Sequence, residues 1–408
     1  MRRSHALKLD PNAGQARKLR LYCIAHCKIW NHFLEKCKKG LIPKKSNAMT
    51  HQLGNKRMDE TCPELLWVRD ELGMNKQIQQ VPCEDLEKAW KRFFDWCRAR
   101  KKGNVGLRRV GPPKFKSSRW MVGMSFGAKQ GVEHDPETRK VRIPSIGWIR
   151  HFEKDVDFSN DKIKCCRVVW RASGWYCSLS MDNDIEIKSP LKWKKRKTHS
   201  VHLGIRHYAV LSDGNNVDHP RNLERNLDRL SKLCREWSRK KKGSRRWRIW
   251  RDRVRRVHEK IANCRKDFIH KMTDDLLKKY PCLISEKWSI SDMVENEKTK
   301  RKRRKIKAGR RKPGSRMMEK LLHRGIMDSS WYEVRRQLKY KSEWRRKPYH
   351  ETHMGFKSTQ TCFHCKHVND FVTLNMKTFT CRGCGRKIER ESNAAANVRE
   401  MGFSELGL

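Results

Sequence analysis

Apolar residues along the first hundred positions recur with the period of a buried helix face. Leu19, Cys23, Cys27, Trp30, Leu34 and Cys37 are spaced by 4, 4, 3, 4 and 3, which puts them on one stripe of a helix. Asp10-Pro11 supplies a cap and a first-turn proline ahead of it, and Gly40 a stop behind it. Leu86, Trp90, Phe93 and Cys97 repeat the pattern beside a basic face, so residues 60–102 read as further helices. Residues 11–104 together read as a helical module.

From about residue 105 to 190 the texture changes. Glycine and proline punctuate short runs at Met121–Phe126, Val141–Ile143, Lys164–Trp170 and Trp175–Met181, the signature of closely spaced strands. A small β-barrel or sandwich is expected there, with residues 1–10 supplying a first strand that joins it. A basic linker runs from Lys188 to Lys197. His199–Val210 and Leu211–Val217 read as a hairpin turning at Asp213-Gly214. Trp250, Val254, Val257, Ile261, Cys264 and Phe268 then mark a long helix, with Lys240–Ser244 separating it from the helix before. Cys282–Ser285 reads as a short buried strand ending at Glu286. Strand, hairpin, helix and strand in that order imply an α/β layer over 198–345. A helix around Met317–Leu338, a cysteine block at 346–388 and a last helix from about Ser392, within 389–408, complete the chain. The fold class is α+β, in several domains.

Charge narrows the partners. Lys plus Arg number 97 against 45 Asp plus Glu, a net charge of +52. Self-repulsion on that scale calls for a polyanion, and nucleic acid is the obvious one. Residues 298–312 alone carry eleven Lys or Arg, the composition of a segment that is solvated or folds on a phosphate backbone. No run of about 18 apolar residues is present, so no membrane span is expected. The N-terminus carries no signal-peptide core, so a cytoplasmic, nucleoid-associated protein is expected. In the helical module Lys28, Asn31, Lys36, Gln77, Gln79, Gln80 and Arg92 are candidate nucleic-acid contacts, while Trp30, Trp90 and Phe93 read as core.

Most of the 16 cysteines sit at core-like positions and read as reduced thiols. Four differ. Cys362-x2-Cys365, fifteen intervening residues and Cys381-x2-Cys384 place two thiolate pairs on two tight turns, and together these complete a tetrahedron around zinc. Four thiolates leave no open coordination position, so this zinc is structural.

The residues after these cysteines read Glu389-Arg390-Glu391-Ser392-Asn393-Ala394-Ala395-Ala396-Asn397. With Ser358-Thr-Gln-Thr-Cys362 and the second knuckle, this resembles the C-terminal signature of the TnpB family, where the pattern is Asp-Arg-Asp-x-Asn-Ala-Ala-x-Asn. TnpB proteins are the RNA-guided nucleases of insertion sequences and the presumed ancestors of type V CRISPR effectors. Leu9-Asp10-Pro11, Pro144–Gly147, Lys242–Ser244, His258–Asp267 and Ile284–Ile290 resemble further family segments in the same order. The resemblance implies a recognition module at 11–104 and a wedge β-barrel at 1–10 and 105–190. It also implies a RuvC-like RNase H-fold domain at 198–345 and 389–408, interrupted at 346–388 by a zinc ribbon that binds target nucleic acid. It implies a guide RNA and a double-stranded DNA target as partners, in unknown stoichiometry.

The acids of such a nuclease are altered. The strand that normally carries the first Asp reads Ser200-Val201-His202-Leu203-Gly204, the second acid is Glu286, and the third, an Asp in the family, is Glu391. Two-metal cleavage needs carboxylate oxygens that fix ions ~3.5–4 Å apart. An imidazole offers one nitrogen and no bridging oxygen, and Mg²⁺ demands hard oxygen donors. Mg²⁺ binding is therefore not expected, and the chain resembles a TnpB-like nuclease-dead repressor. Two alternatives stand beside it. One is an active endonuclease using Mn²⁺ or Zn²⁺ on His202, Glu286 and Glu391. The other is a non-guided nucleic-acid binder left from a transposon.

Overall fold

The structure, a computed structural model, describes residues 2–44, 62–74, 76–103, 110–117, 123–127, 131–154, 162–182, 188–287, 323–353, 355–373 and 376–408. The basic run at 298–312, residues 288–290 and the beginning of the helix expected at Met317 lie outside them. Two compact units are present, Met1–Glu186 and Ile187–Leu408.

The first unit opens with strand β1 (Arg2–Asp10) and helix α1 (Ala13–Lys38). The cap expected at Asp10 is instead Asn12. Its side chain accepts from the Gln15 N–H while the Gln15 side chain accepts from the Asn12 N–H, a reciprocal pair that satisfies two free donors. Among the described residues a 3₁₀ turn (Pro63–Leu65), a short helix α2 (Leu66–Asp70) and the long α3 (Lys76–Lys101) follow. Strands β2 (Gly123–Gly127), β3 (Glu133–Asp135), β4 (Lys140–Ile143), β5 (Gly147–His151), β6 (Lys162–Arg171) and β7 (Gly174–Asp182) follow. With β1 they form one antiparallel seven-stranded sheet in the order β2-β6-β7-β1-β5-β4-β3. The first strand of the chain thus lies inside the sheet, paired along β7 from Arg2↔Asp182 to Leu9↔Trp175 and with β5 at Leu9↔His151. Along β7 every second side chain, Trp175, Cys177, Leu179 and Met181, is buried. These pack in one core with Tyr22, Phe33 and Leu86 from the helices.

The second unit carries strands β8 (Thr198–Leu203), β9 (His207–Leu211) and β10 (Asn216–Asp218). The first leg of the hairpin read from sequence is therefore two strands, reversed at Gly204-Ile205-Arg206, and the element is a three-stranded meander. Helices α4 (Leu227–Ser238) and α5 (Arg245–Lys279) lead to β11 (Cys282–Glu286). The helix expected across Met317–Leu338 is broken at Ser330, where φ is 51°, so a helical turn at 323–329 precedes α6 (Trp331–Trp344). Strand β12 (Tyr349–Thr352), the hairpin β13 (Thr378–Thr380) and β14 (Lys387–Glu389), and helix α7 (Arg390–Leu406) end the chain.

The sheet order is β10-β9-β8-β11-β12, antiparallel in the meander and parallel from β8 through β11 to β12. Successive residues of a strand face opposite sides. Leu283 therefore joins the core under α5 and α6, with Val201, Met272, Val334 and Leu338. Ile284 joins the core under α7, with Val398 and Phe403. The stripe on α5 departs from expectation at Cys264, which is exposed. Upstream of it Val254, Val257 and Ile261 pack on α4, whereas downstream Ile269, Met272 and Leu276 pack on the sheet, and the helix changes its buried face between the two cores.

Candidate functional site

β8 and β11 are neighbouring parallel strands, with Val201 opposite Ser285. His202 lies one residue before the end of β8, and Glu286 is the last residue of β11. Pairing in this register brings two side chains 84 positions apart to the carboxyl end of the sheet, where open α/β sheets place their ligands. The Nδ1–H of His202 donates to Glu286 Oε2 at 3.1 Å. The Ser358 hydroxyl lies 3.0 and 3.1 Å from the two oxygens of the same carboxylate. His202 is 3% exposed and Glu286 8%.

Glu391 enters from the other side as the second residue of α7, where the amino end of a helix favours an anion. It is 5% exposed, and its Oε1 accepts from Arg390 Nη2 at 2.9 Å. Arg390 also donates to the Met376 carbonyl at 3.0 Å. A Cβ on Gly204 would stand 2.8 Å from the His207 carbonyl oxygen and 3.4 Å from Glu391 Oε1. Glycine at that turn is what lets the β8–β9 reversal sit beside the carboxylate. The three positions singled out from sequence thus gather at one end of the sheet, each of them hydrogen-bonded to protein.

The four cysteines converge as well. Cys362 and Cys384 have Sγ atoms 3.8 Å apart, Cys365 and Cys381 3.5 Å, and all four lie within 4.8 Å of one another. A tetrahedron with Zn–S of ~2.3 Å has edges of ~3.8 Å, so the donor set fits zinc and these residues would hold it. Burial opposes ionisation of Cys381. The Asn369 amide and the N–H groups of Cys384 and Gly383 outweigh it and hold this thiol down to about 6. Phe379, Val372 and Ile388 make a small core beside the thiols.

The sequence reading quoted Asn393 and Asn397 within the family signature but gave them no role; they fasten this module to helix α7. Asn393 accepts from the Phe363 N–H and donates to the Thr361 carbonyl. Asn397 donates to the carbonyls of Ser358 at 2.9 Å and Thr361 at 2.6 Å. Their spacing of four along one helix was the available signal. Ser358 stood in a family segment, but nothing in the sequence tied it to Glu286, 72 residues away.

In the helical module two of the candidate contacts are hydrogen-bonded to backbone groups of the protein itself. Gln79 is 2% exposed and donates to the Met74 carbonyl. Asn31 bonds the backbone N–H and C=O of Lys116 at 2.7 Å each, pinning that segment. Lys36 is half-buried, 3.8 Å from Cys62 Sγ. Lys28 lies over the Trp67 ring, Gln77 and Arg92 are exposed, and Gln80 is half-buried. Trp30 and Trp90 are buried. Among the described residues no helix is long and apolar enough to cross a membrane.

Comparison with known proteins bears on the same segments. A family model described as a probable transposase matches residues 182–297, and one for the Cas12f1-like TNB domain matches 331–398. InsQ of Escherichia coli K12, which carries the name of an RNA-guided DNA endonuclease, is 27% identical over 369 residues, 87% of this chain and 84% of InsQ. Together these matches support the TnpB family for this chain. A Streptomyces pristinaespiralis protein named likewise is 29% identical over 234 residues, 57% of this chain and 51% of its own length. The TnpB-like protein L79 of Acanthamoeba polyphaga mimivirus is 21% identical over 162 residues, 37% of this chain and 25% of its own.

Proposed function

We propose that this TnpB-family protein carries a guide RNA and uses it to bind complementary double-stranded DNA beside a short adjacent motif. It holds that DNA uncut and so represses transcription where the target is a promoter. The observation that carries the uncut state is the pairing at the end of β8. His202 stands where the family has its first Asp, and it spends its ring N–H on Glu286. Glu286 also takes the Ser358 hydroxyl, and Glu391 takes the Arg390 guanidinium. A nitrogen donor and two carboxylates already committed to protein cations and hydroxyls do not suit Mg²⁺, which wants several hard oxygens in near-octahedral array.

RNA guidance is supported by the names of relatives aligned along most of the chain. A net charge of +52 suits a heteroduplex read by shape rather than by sequence. In this reading the zinc module and the surface residues Lys28, Gln77 and Arg92 contribute to nucleic-acid contact. A second reading, an endonuclease with a variant metal site, is favoured by the retained carboxylates of Glu286 and Glu391.

Two measurements separate the readings. The purified protein is expected to carry RNA with a common scaffold. With that RNA and a matched plasmid it is expected to retain the plasmid without scission in Mg²⁺ or Mn²⁺. Cleavage abolished by Glu286→Ala would establish the second reading, and co-purified RNA of random sequence would point to a non-guided binder.

A further inference from the structure

Helix α6 buries Trp331, Val334, Gln337 and Leu338 against the sheet. Its opposite face carries Tyr332, Arg336, Tyr340 and Trp344, four residues at strict spacings of four. Each step advances ~6 Å along the axis and turns by ~40°, so the row winds slowly across the outer side of the helix. Tyr332 is 65% exposed and Trp344 43%. The Arg336 guanidinium lies 5.2 Å from the Tyr340 ring centre, and the Tyr340 and Trp344 rings are 4.6 Å apart. Glu333 holds Arg336 in place through two hydrogen bonds of 2.7 and 2.8 Å. The result is a fixed row of aromatic planes interleaved with a cation, with Lys339 exposed beside it.

We infer that this row is a stacking platform for unpaired bases of the RNA carried by the protein; the inference rests on the RNA partner proposed above. Bases stack on exposed aromatic and guanidinium planes whatever their sequence. Arg336 and Lys339 add charge complementary to the phosphates between those bases. A duplex buries its base faces and would not use such a row. RNA is favoured over the DNA target because it stays with the protein between targets, and a contiguous aromatic face on a soluble chain calls for continuous cover.

The test uses the full chain. Ultraviolet cross-linking of the complex as purified, followed by peptide mass mapping, is expected to place nucleotide adducts on Tyr332, Tyr340 or Trp344. The double variant Tyr332→Ala with Trp344→Ala is expected to weaken binding of an unstructured single-stranded RNA by about tenfold or more. The slope of log K against log salt should stay unchanged in that variant, whereas Arg336→Ala should lower it by about 0.7. All these side chains lie at the surface, and a retained melting temperature would show that the variants fold. Adducts confined to other peptides, or full affinity in the double variant, would overturn the inference. So would a wild-type dimer that the double variant splits, since a second copy would then cover the face. Absence of co-purified RNA would count against the guided reading instead, and the added oligonucleotide would still report on the row.

Discussion

At position 202 the exchange of a carboxylate for an imidazole changes the sign of a buried interaction. The His202 N–H and the Glu286 oxygen attract each other at 3.1 Å, with both side chains nearly excluded from water. An aspartate there would face Glu286 as a like charge, and like charges at a shared site require a bound cation or a proton. Losing one partner of a buried pair costs about 3 kcal/mol, which in a unit of this size lowers the melting temperature by about 6–12 °C. His202→Asp is therefore expected to melt that much lower in chelator and to recover part of the loss in millimolar Mg²⁺. Differential scanning fluorimetry with and without the ion reads this directly, and an unchanged melting temperature in chelator would refute it. Asn31 and Gln79 make a related point at single residues. Both are amides on helices with the composition of a polar surface, and both are spent on backbone groups of the protein itself. A polar side chain's identity does not reveal which partner it will find.

At the scale of elements, the last helix and the zinc module are set by close approach. A Cβ on Gly402 would lie 2.6 and 2.7 Å from the Cδ1 and Cγ2 atoms of Ile284, so α7 can lie against β11 only with glycine there. Gly402→Ala is expected to destabilise the second unit by about 2 kcal/mol through overpacking, and Ile284→Val in the same chain should return part of it. Denaturant midpoints of the single and double variants measure that coupling. The cysteine module rests on its metal site more than on its core, which is only a few side chains. One zinc ion per chain is expected by elemental analysis. Stripping it with a chelator should open residues 355–388 to protease while the five-stranded sheet persists. The period of apolar residues gave α1, α3 and α5 their places in the sequence. It could not show that α5 changes its buried face near Cys264, because two separate cores read that helix in turn. It also missed the reversal at Gly204, because a lone glycine between Leu203 and Ile205 is a weak turn signal and apolar residues resume at Tyr208–Leu211.

For the whole molecule the excess of cations is the dominant property, and it acts through counterion release. Each phosphate neutralised on duplex DNA contributes ~0.9 to the salt slope, so a complex making 6–10 contacts loses ~10³–10⁵ in affinity between 50 and 200 mM salt. Target binding by the RNA-loaded protein is expected to fall at least that steeply in filter-binding titrations, and a shallow dependence would mean that few of the 97 Lys and Arg residues face nucleic acid. The sequence by itself determined what is local or additive: the net charge, the helical stripes, the alternation in β7, and the two-residue spacing within each of two cysteine pairs. Tertiary structure alone decided what depends on residues far apart in the chain. It set β1 between β7 and β5, brought Ser358 and His202 onto one carboxylate, and turned Asn393 and Asn397 into the clamps of the zinc module. The physical reason is that strand register and close packing choose partners by shape and by the need to satisfy buried polar groups, and neither requirement leaves a periodic mark on the chain.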